Sequence, residues 1–256
     1  MTNSLILDAL GLALLIQLIF FVFAAIKKTD LVTDLSYGLS FVVLAILALI
    51  QTNQFLPSLL LTVVIGIWGI RLAGFLFIRI RKLKKDDRFD GIRENFWKFG
   101  RFWLLQGVSV WVIMLSAIVF YSKNINIDTL NPFSWLFLVI ALLGIVIESI
   151  ADTQKYQYKN NPANKGHWTN VGLYRYSRHP NYLGEMLMWW GVFGFIAFSL
   201  QGWEWLTIIS PLYISSLLLF VTGIPTTEKR NDQIYKDSKE YSNYKKKTGL
   251  LFPKFF

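Results

Sequence analysis

Three charged residues stand out well inside long apolar runs of this chain, Arg71, Glu148 and Glu185, while Asp8 lies near the outer end of its run. Charge in the hydrocarbon of a bilayer is costly and is kept chiefly where it binds or reacts. Glu148 and Asp152 are four residues apart, so a helix puts both on one face. Stacked carboxylates repel unless a cation or a hydroxyl-rich ligand lies between them. The plainer alternative is a helix end with ordinary solvated charge. Arg71 needs a carboxylate or phosphate partner, and an ion pair with Glu148 or Glu185 would serve equally well.

The densest pattern is GLYRYSRHPNYLGEMLMWWG, residues 172–191. Arg175, Arg178 and His179 can all meet an anion. Pro180 is suited to the first position of a helix, with Asn181 and Tyr182 in its first turn. A helix amino end flanked by Arg and His is a natural phosphate site. Asn181, Glu185 and Trp189 then recur every four residues, a polar-to-aromatic stripe running inward from that end. A positively charged flank followed by packing aromatics explains the cations but not the carboxylate.

The elements that position these residues are transmembrane helices. Of the 256 residues, 54% are hydrophobic and 16% charged, against about 45–50% and 25% in soluble domains. Seven apolar runs cover residues 5–26, 35–50, 56–78, 102–121, 133–150, 182–200 and 205–222, each near the length of a span. The expected fold is a single all-α, polytopic membrane domain of seven helices over 1–256. Pro211 inside the last run implies a tolerated kink. Of the 26 Lys and Arg, 24 fall in the first, third and fifth connections and after residue 222. That bias places the amino terminus outside, the carboxyl terminus inside and any catalytic mouth on the cytoplasmic side. Topology and anionic lipid account for the net charge of +10, so no nucleic-acid partner is expected. The chain has no cysteine and two histidines, which excludes a thiolate nucleophile and a His-rich di-iron centre; no metal is expected. The segment from 226 is charged, then aromatic, then apolar. It is expected to fold over the cytoplasmic mouth or to serve as a polybasic lipid-binding end.

WGIRLAGFLFIRIR, FWLLQGV, IESIADTQKYQYK, NVGLYRYSRHPNYLGEMLMWWG and the EKR…Y…FP tail together resemble the DUF1295 family. That family is related to the steroid 5-alpha-reductase carboxyl-terminal domain, and the resemblance is strongest over 60–256. It implies a seven-helix membrane reductase that uses NADPH. By this resemblance Glu148 and Asp152 stand where the steroid reductases carry an Asn-x-x-x-Asp pair beside the cofactor ribose. Lys159 stands for an Arg, and His167 for an Arg near the cofactor phosphates. Asn181, Tyr182, Glu185 and Trp189 match the group around the nicotinamide half. Arg71, Arg178, His179, Glu228 and Tyr235 complete the implied cofactor set. The substrate end matches less well: the family's carbonyl-holding Tyr is Trp68 here, and Asp34 and Tyr37 replace its Glu as candidates.

The expected activity is hydride transfer to the β-carbon of a lipidic enone, steroid-like or polyprenyl. Asp34, Tyr37 and Glu185 are the candidate catalytic residues. Enolate charge must be met by a donor, and a carboxylic acid kept neutral by apolar surroundings is one solution. The rival is an S-adenosylmethionine-dependent methyltransferase, since isoprenylcysteine carboxyl methyltransferases resemble this chain in the Arg-His-Pro-x-Tyr stretch.

Overall fold

The computed structural model describes residues 2–52, 55–123, 125, 127 and 130–254. The described residues form nine α-helices: α1 Thr2–Lys27, α2 Thr33–Ile50, α3 Phe55–Leu83, α4 Phe96–Tyr121, α5 Pro132–Asn160, α6 Pro180–Ala197, α7 Ile209–Ser216, α8 Ile224–Ile234 and α9 Lys239–Lys247. Among them there is no strand, only a single parallel bridge between Ser177 and Gly249.

All seven apolar runs are helical. Among the described residues six helical stretches are long and apolar enough to cross a bilayer: Ser4–Lys27, Thr33–Ile50, Phe55–Leu83, Phe96–Tyr121, Pro132–Asn160 and Gly202–Ile234. The chain is thus a multi-pass membrane protein. The sixth run differs for a physical reason. α6 has 18 residues, about 27 Å at 1.5 Å per residue, and Asn181, Tyr182 and Glu185 occupy its first two turns. Outward apolar stripes confirm what the solvent is. Leu136, Val139, Leu143, Val146 and Ile150 lie exposed along α5 at helical spacing, a pattern that water would penalise.

Helix ends depart from the apolar runs in one direction. α3, α4 and α5 each extend beyond the hydrocarbon-length stretch into charged sequence. Hydropathy marks the lipid boundary, whereas caps and hydrogen bonds end the helix. Asn95 caps α4 by accepting from the Lys98 amide at 3.0 Å. The last run is irregular: a 3-10 helix over Gly202–Ile208, then α7, then a π turn over Leu217–Val221. Pro211 falls in the first turn of α7, where its missing N–H costs little.

Two compact units make up the chain: Met1–Ser134 with Ile196–Ser210, and Trp135–Phe195 with Pro211–Phe256. In the first unit α2 lies against α3 with almost no space between backbones. A Cβ on Gly38 would come within 2.8 Å of the Gly69 carbonyl oxygen and of the Ala73 Cβ. Small residues permit such contact in membranes, where no hydrophobic force drives helices together. Polar side chains add to it. Gln17, only 1% exposed, donates to Ser40 at 2.8 Å and accepts from Gln106 at 2.8 Å. Gln106 also donates to Ser36 and to the Thr33 carbonyl.

The connection between α3 and α4 is an ordered structure. Arg93 donates to Asp30 at 2.6 Å, and both are buried. The other Asp30 oxygen accepts the Asp86 amide at 2.6 Å. Arg93 also pairs with Asp90 and Glu94. At the opposite end of the unit Lys123 pairs with Glu204, which closes a capping box with Gln201.

Removing one member of a buried ion pair strands the other. Asp30→Ala is expected to cost about 3 kcal/mol, read as a lowered melting temperature in detergent. Lys85→Ala, which removes an exposed partner of Asp90, should leave it nearly unchanged.

Candidate functional site

In the second unit α5 and α6 touch backbone to backbone. A Cβ on Gly184 would lie 2.6 Å from the Glu148 amide nitrogen, and one on Gly144 would lie 2.5 Å from that of Met188. Gly184, between Asn181 and Glu185 in the motif, therefore seats α6 at the turn of α5 that carries Glu148. Glu148 and Asp152 are buried, at 2% and 8% exposure. On α6, Asn181 and Glu185 are half-buried and Trp189 is fully buried. The expected four-residue stripe is real, because Pro180 starts the helix.

Ahead of α6 the chain is fixed by α5 and by the tail. Gln154 on α5 accepts the Leu173 amide at 2.9 Å. Gly172 allows this: its φ is +54°, and a Cβ there would fall 2.2 Å from the Gln154 amide nitrogen. The tail returns alongside residues 175–179. The Arg178 amide donates to Gly249 at 2.9 Å, and the His179 amide to Leu250 at 3.1 Å. The tail expected to fold over the site thus docks onto the segment that opens α6.

Glu228 on α8 is the hub of the cluster. One oxygen lies 2.8 Å from His179 Nε2; the other is 3.1 Å from Lys245 and 3.5 Å from Arg178. A carboxylate only accepts, so Nε2 carries the proton and Nδ1 presents a lone pair. The His179 ring is 1% exposed and stacks on Tyr182 at 5.5 Å and 10°. Burial pushes its pKa below the ordinary 6.5, against the opposing pull of Glu228. The ring is therefore neutral at pH 7.

An aromatic cluster closes the outer side. Trp168, Tyr235 and Tyr241 are buried together with Tyr244 packed against them. Tyr244 donates to the Tyr174 carbonyl at 2.7 Å, and Tyr174 reaches Asn181 Oδ1 at 3.4 Å. Burial raises the pKa of both phenols, which stay protonated donors. Lys159 donates to the His167 carbonyl at 2.7 Å and to the Tyr235 hydroxyl at 3.2 Å.

Arg178, His179, Tyr182 and Glu228 are thus assembled in one place, and Lys159, His167 and Tyr235 in another of the same unit. Asp34, Tyr37 and Arg71 belong to the first unit. There Asp34 lies 3.5 Å from Arg79. Tyr37 stands edge-on to Phe41, which stands edge-on to the buried Trp68. Sequence reasoning missed Lys245 and the Trp168 cluster. The signal was present in the tyrosines at 235, 241 and 244.

Arg178 Nε, His179 Nδ1, Trp168 Nε1 and Thr169 Oγ1 are buried polar atoms that find no hydrogen-bond partner among the described residues. Such groups cost about 1–3 kcal/mol each when left unmet. An anionic ligand with hydroxyl groups would satisfy this set of donors and acceptors, as a phosphorylated nucleotide does.

The chain belongs to the family described as "Protein of unknown function (DUF1295)", whose sequence profile matches residues 20–248. It is 30% identical over 153 residues to an uncharacterized protein of Schizosaccharomyces pombe. That match covers 50% of this chain and 41% of the relative, so the matched stretch is under half of that protein's length. No solved structure matches.

Two outcomes test the geometry. Gly184→Leu drives a side chain into α5 and is expected to cost about 3 kcal/mol or prevent assembly, whereas Gly74→Ala, on α3 with nothing within 4 Å of the added Cβ, should lower the melting temperature far less. For His179 the folded pKa is the lower one, so the unfolded chain takes up the proton first as pH falls. Stability should be level above pH 6.5 and decline below it. His179→Gln, titrated in parallel by thermal melting, should show a shallower decline.

Proposed function

We propose that this DUF1295-family protein is a membrane-embedded NADPH-dependent reductase of the carbon–carbon double bond of a lipidic enone. The observation that carries the reading is the amino end of α6. There Arg178 and His179 offer buried, unmet polar atoms directly before Asn181, Glu185 and Trp189, and Gly184 seats this stretch against Glu148. The resemblance to steroid 5-alpha-reductases supports the same assignment motif by motif.

In this reading all seven apolar helices cross the bilayer, with the amino terminus outside and the tail in the cytoplasm. The positions of the Lys and Arg residues support that orientation. When bound, NADPH supplies a hydride for the β-carbon of the enone. The chain's own groups bind and orient. Arg178 holds phosphate oxygens by charge, and His179 accepts a hydroxyl at Nδ1. Glu148 and Asp152 accept from ribose hydroxyls. Asn181 and Glu185 hold the nicotinamide carboxamide, with Trp189 as an apolar backing. Glu228 keeps His179 and Arg178 in place, while Lys159, His167 and Tyr235 secure the loop above. Asp34 and Tyr37 are the candidates to donate to the substrate carbonyl. The substrate is a lipophilic small molecule that enters from the membrane.

A binding titration on detergent-purified protein with NADPH, NADH and S-adenosylmethionine tests this. NADPH should bind saturably. Asn181→Ala and Glu185→Gln should each weaken it about tenfold, the loss expected for a hydrogen bond of roughly 1.5 kcal/mol. Binding of S-adenosylmethionine alone would make the same residues a methyl-transfer site, and unchanged NADPH affinity in both variants would refute the nicotinamide assignment.

A further inference from the structure

Beyond the cofactor cluster the second unit holds an open cleft of about 680 Å³, lined by α8, α9 and the tail. Its walls carry Arg178, Lys236, Lys245, Lys246 and Lys254 against one carboxylate, Asp232, with the hydroxyls of Ser238 and Ser242 between them. Lys245 is committed to Glu228 and Asp232. Lys254 donates to the Lys246 carbonyl at 2.9 Å, which holds its ammonium at the carboxyl end of α9. Lys236 and Lys246 are exposed. A concave surface with this surplus of cations and several hydroxyl donors fits a phosphodiester.

The place of the cleft names the source. α8 continues the membrane-crossing stretch Gly202–Ile234. Phe220 and Val221, at 74% and 58% exposure, mark its last lipid-facing positions. Lys236 follows within a few turns. The tail that delivers Lys254 also exposes Leu250 and Phe252, the latter at 66%. Cations beside exposed apolar side chains, next to a span, are the pattern of a segment lying at the headgroup level.

We propose that this cleft binds the phosphate of an anionic phospholipid headgroup from the bilayer around the protein. Lys236, Lys246 and Lys254 meet the phosphate, and Leu250 and Phe252 face the acyl region. The bound lipid fastens α9 and the tail to the membrane surface, and with them the backbone bonds to residues 177–179.

The test is calorimetric titration of the full-length protein in neutral detergent. The probes are dioctanoyl phosphatidylglycerol, dioctanoyl phosphatidylcholine, inorganic phosphate and NADPH. The phosphatidylglycerol should bind saturably and more weakly as salt is raised, and the phosphatidylcholine should bind at least tenfold more weakly, in line with roughly 1 kcal/mol for each cation facing an anionic lipid. Lys236→Gln/Lys246→Gln/Lys254→Gln should lose at least about tenfold in phosphatidylglycerol affinity and keep NADPH affinity, which also shows that it is folded. Lys236→Glu alone should act in the same direction. Equal binding of the two lipids would overturn the proposal, as would an unchanged triple variant. Competition by inorganic phosphate at equal affinity would assign the cleft to a soluble anion. Loss of NADPH binding together with lipid binding would assign it to the cofactor; failure of NADPH to bind the wild type would leave the lipid result standing on its own.

Discussion

Hydrocarbon offers no hydrogen bonds, so every backbone amide within it must be paired inside its own helix. That constraint shapes the whole chain. It forces the apolar runs into helices and leaves close approach of backbones as the main route to packing between them. Gly38 against Gly69 in one unit and Gly184 against Glu148 in the other are two uses of the same device. It also confines costly polar groups to a few places. In the first unit these are the Gln17–Gln106 network and the Asp30–Arg93 pair. In the second they gather where α5 and α6 end and the chain leaves the bilayer.

At that boundary Glu228 sets the order. Its carboxylate fixes the proton of His179 on one nitrogen and so turns the other into an acceptor. It draws Lys245 from α9 and Arg178 from the segment before α6. Three stretches of the chain meet on one carboxylate, and buried polar atoms are left over beside it. The aromatic cluster about Trp168 covers this arrangement from outside.

Much of this was legible in the residues, for identifiable reasons. Apolar length marks spans, and each of the seven runs is a helix. Pro180 and the four-residue spacing of Asn181, Glu185 and Trp189 encode a helix start and one face, which depend only on local geometry. Helix ends were less legible, since α3, α4 and α5 run on past the apolar stretch. That the tail folds back was expected, but where it docks was not legible. Its bonds to Arg178 and His179 are backbone to backbone, and backbone atoms carry no sequence signal. The approach of Arg79 to Asp34 was hidden for a related reason: Arg79 lies on the next helix, and the contact depends on how α2 and α3 pack.

The parallel pairing of the tail with the segment before α6 has a consequence in time. Ser177 and Leu250 are 73 residues apart. The apolar helices can enter the membrane as they are synthesised, each as a local event. The segment that opens α6 cannot gain its backbone partners until residues 249 and 250 have left the ribosome. Insertion and completion of the site are therefore separate stages, and a chain halted between them would be fully embedded yet lack the tail segment that holds His179 in place.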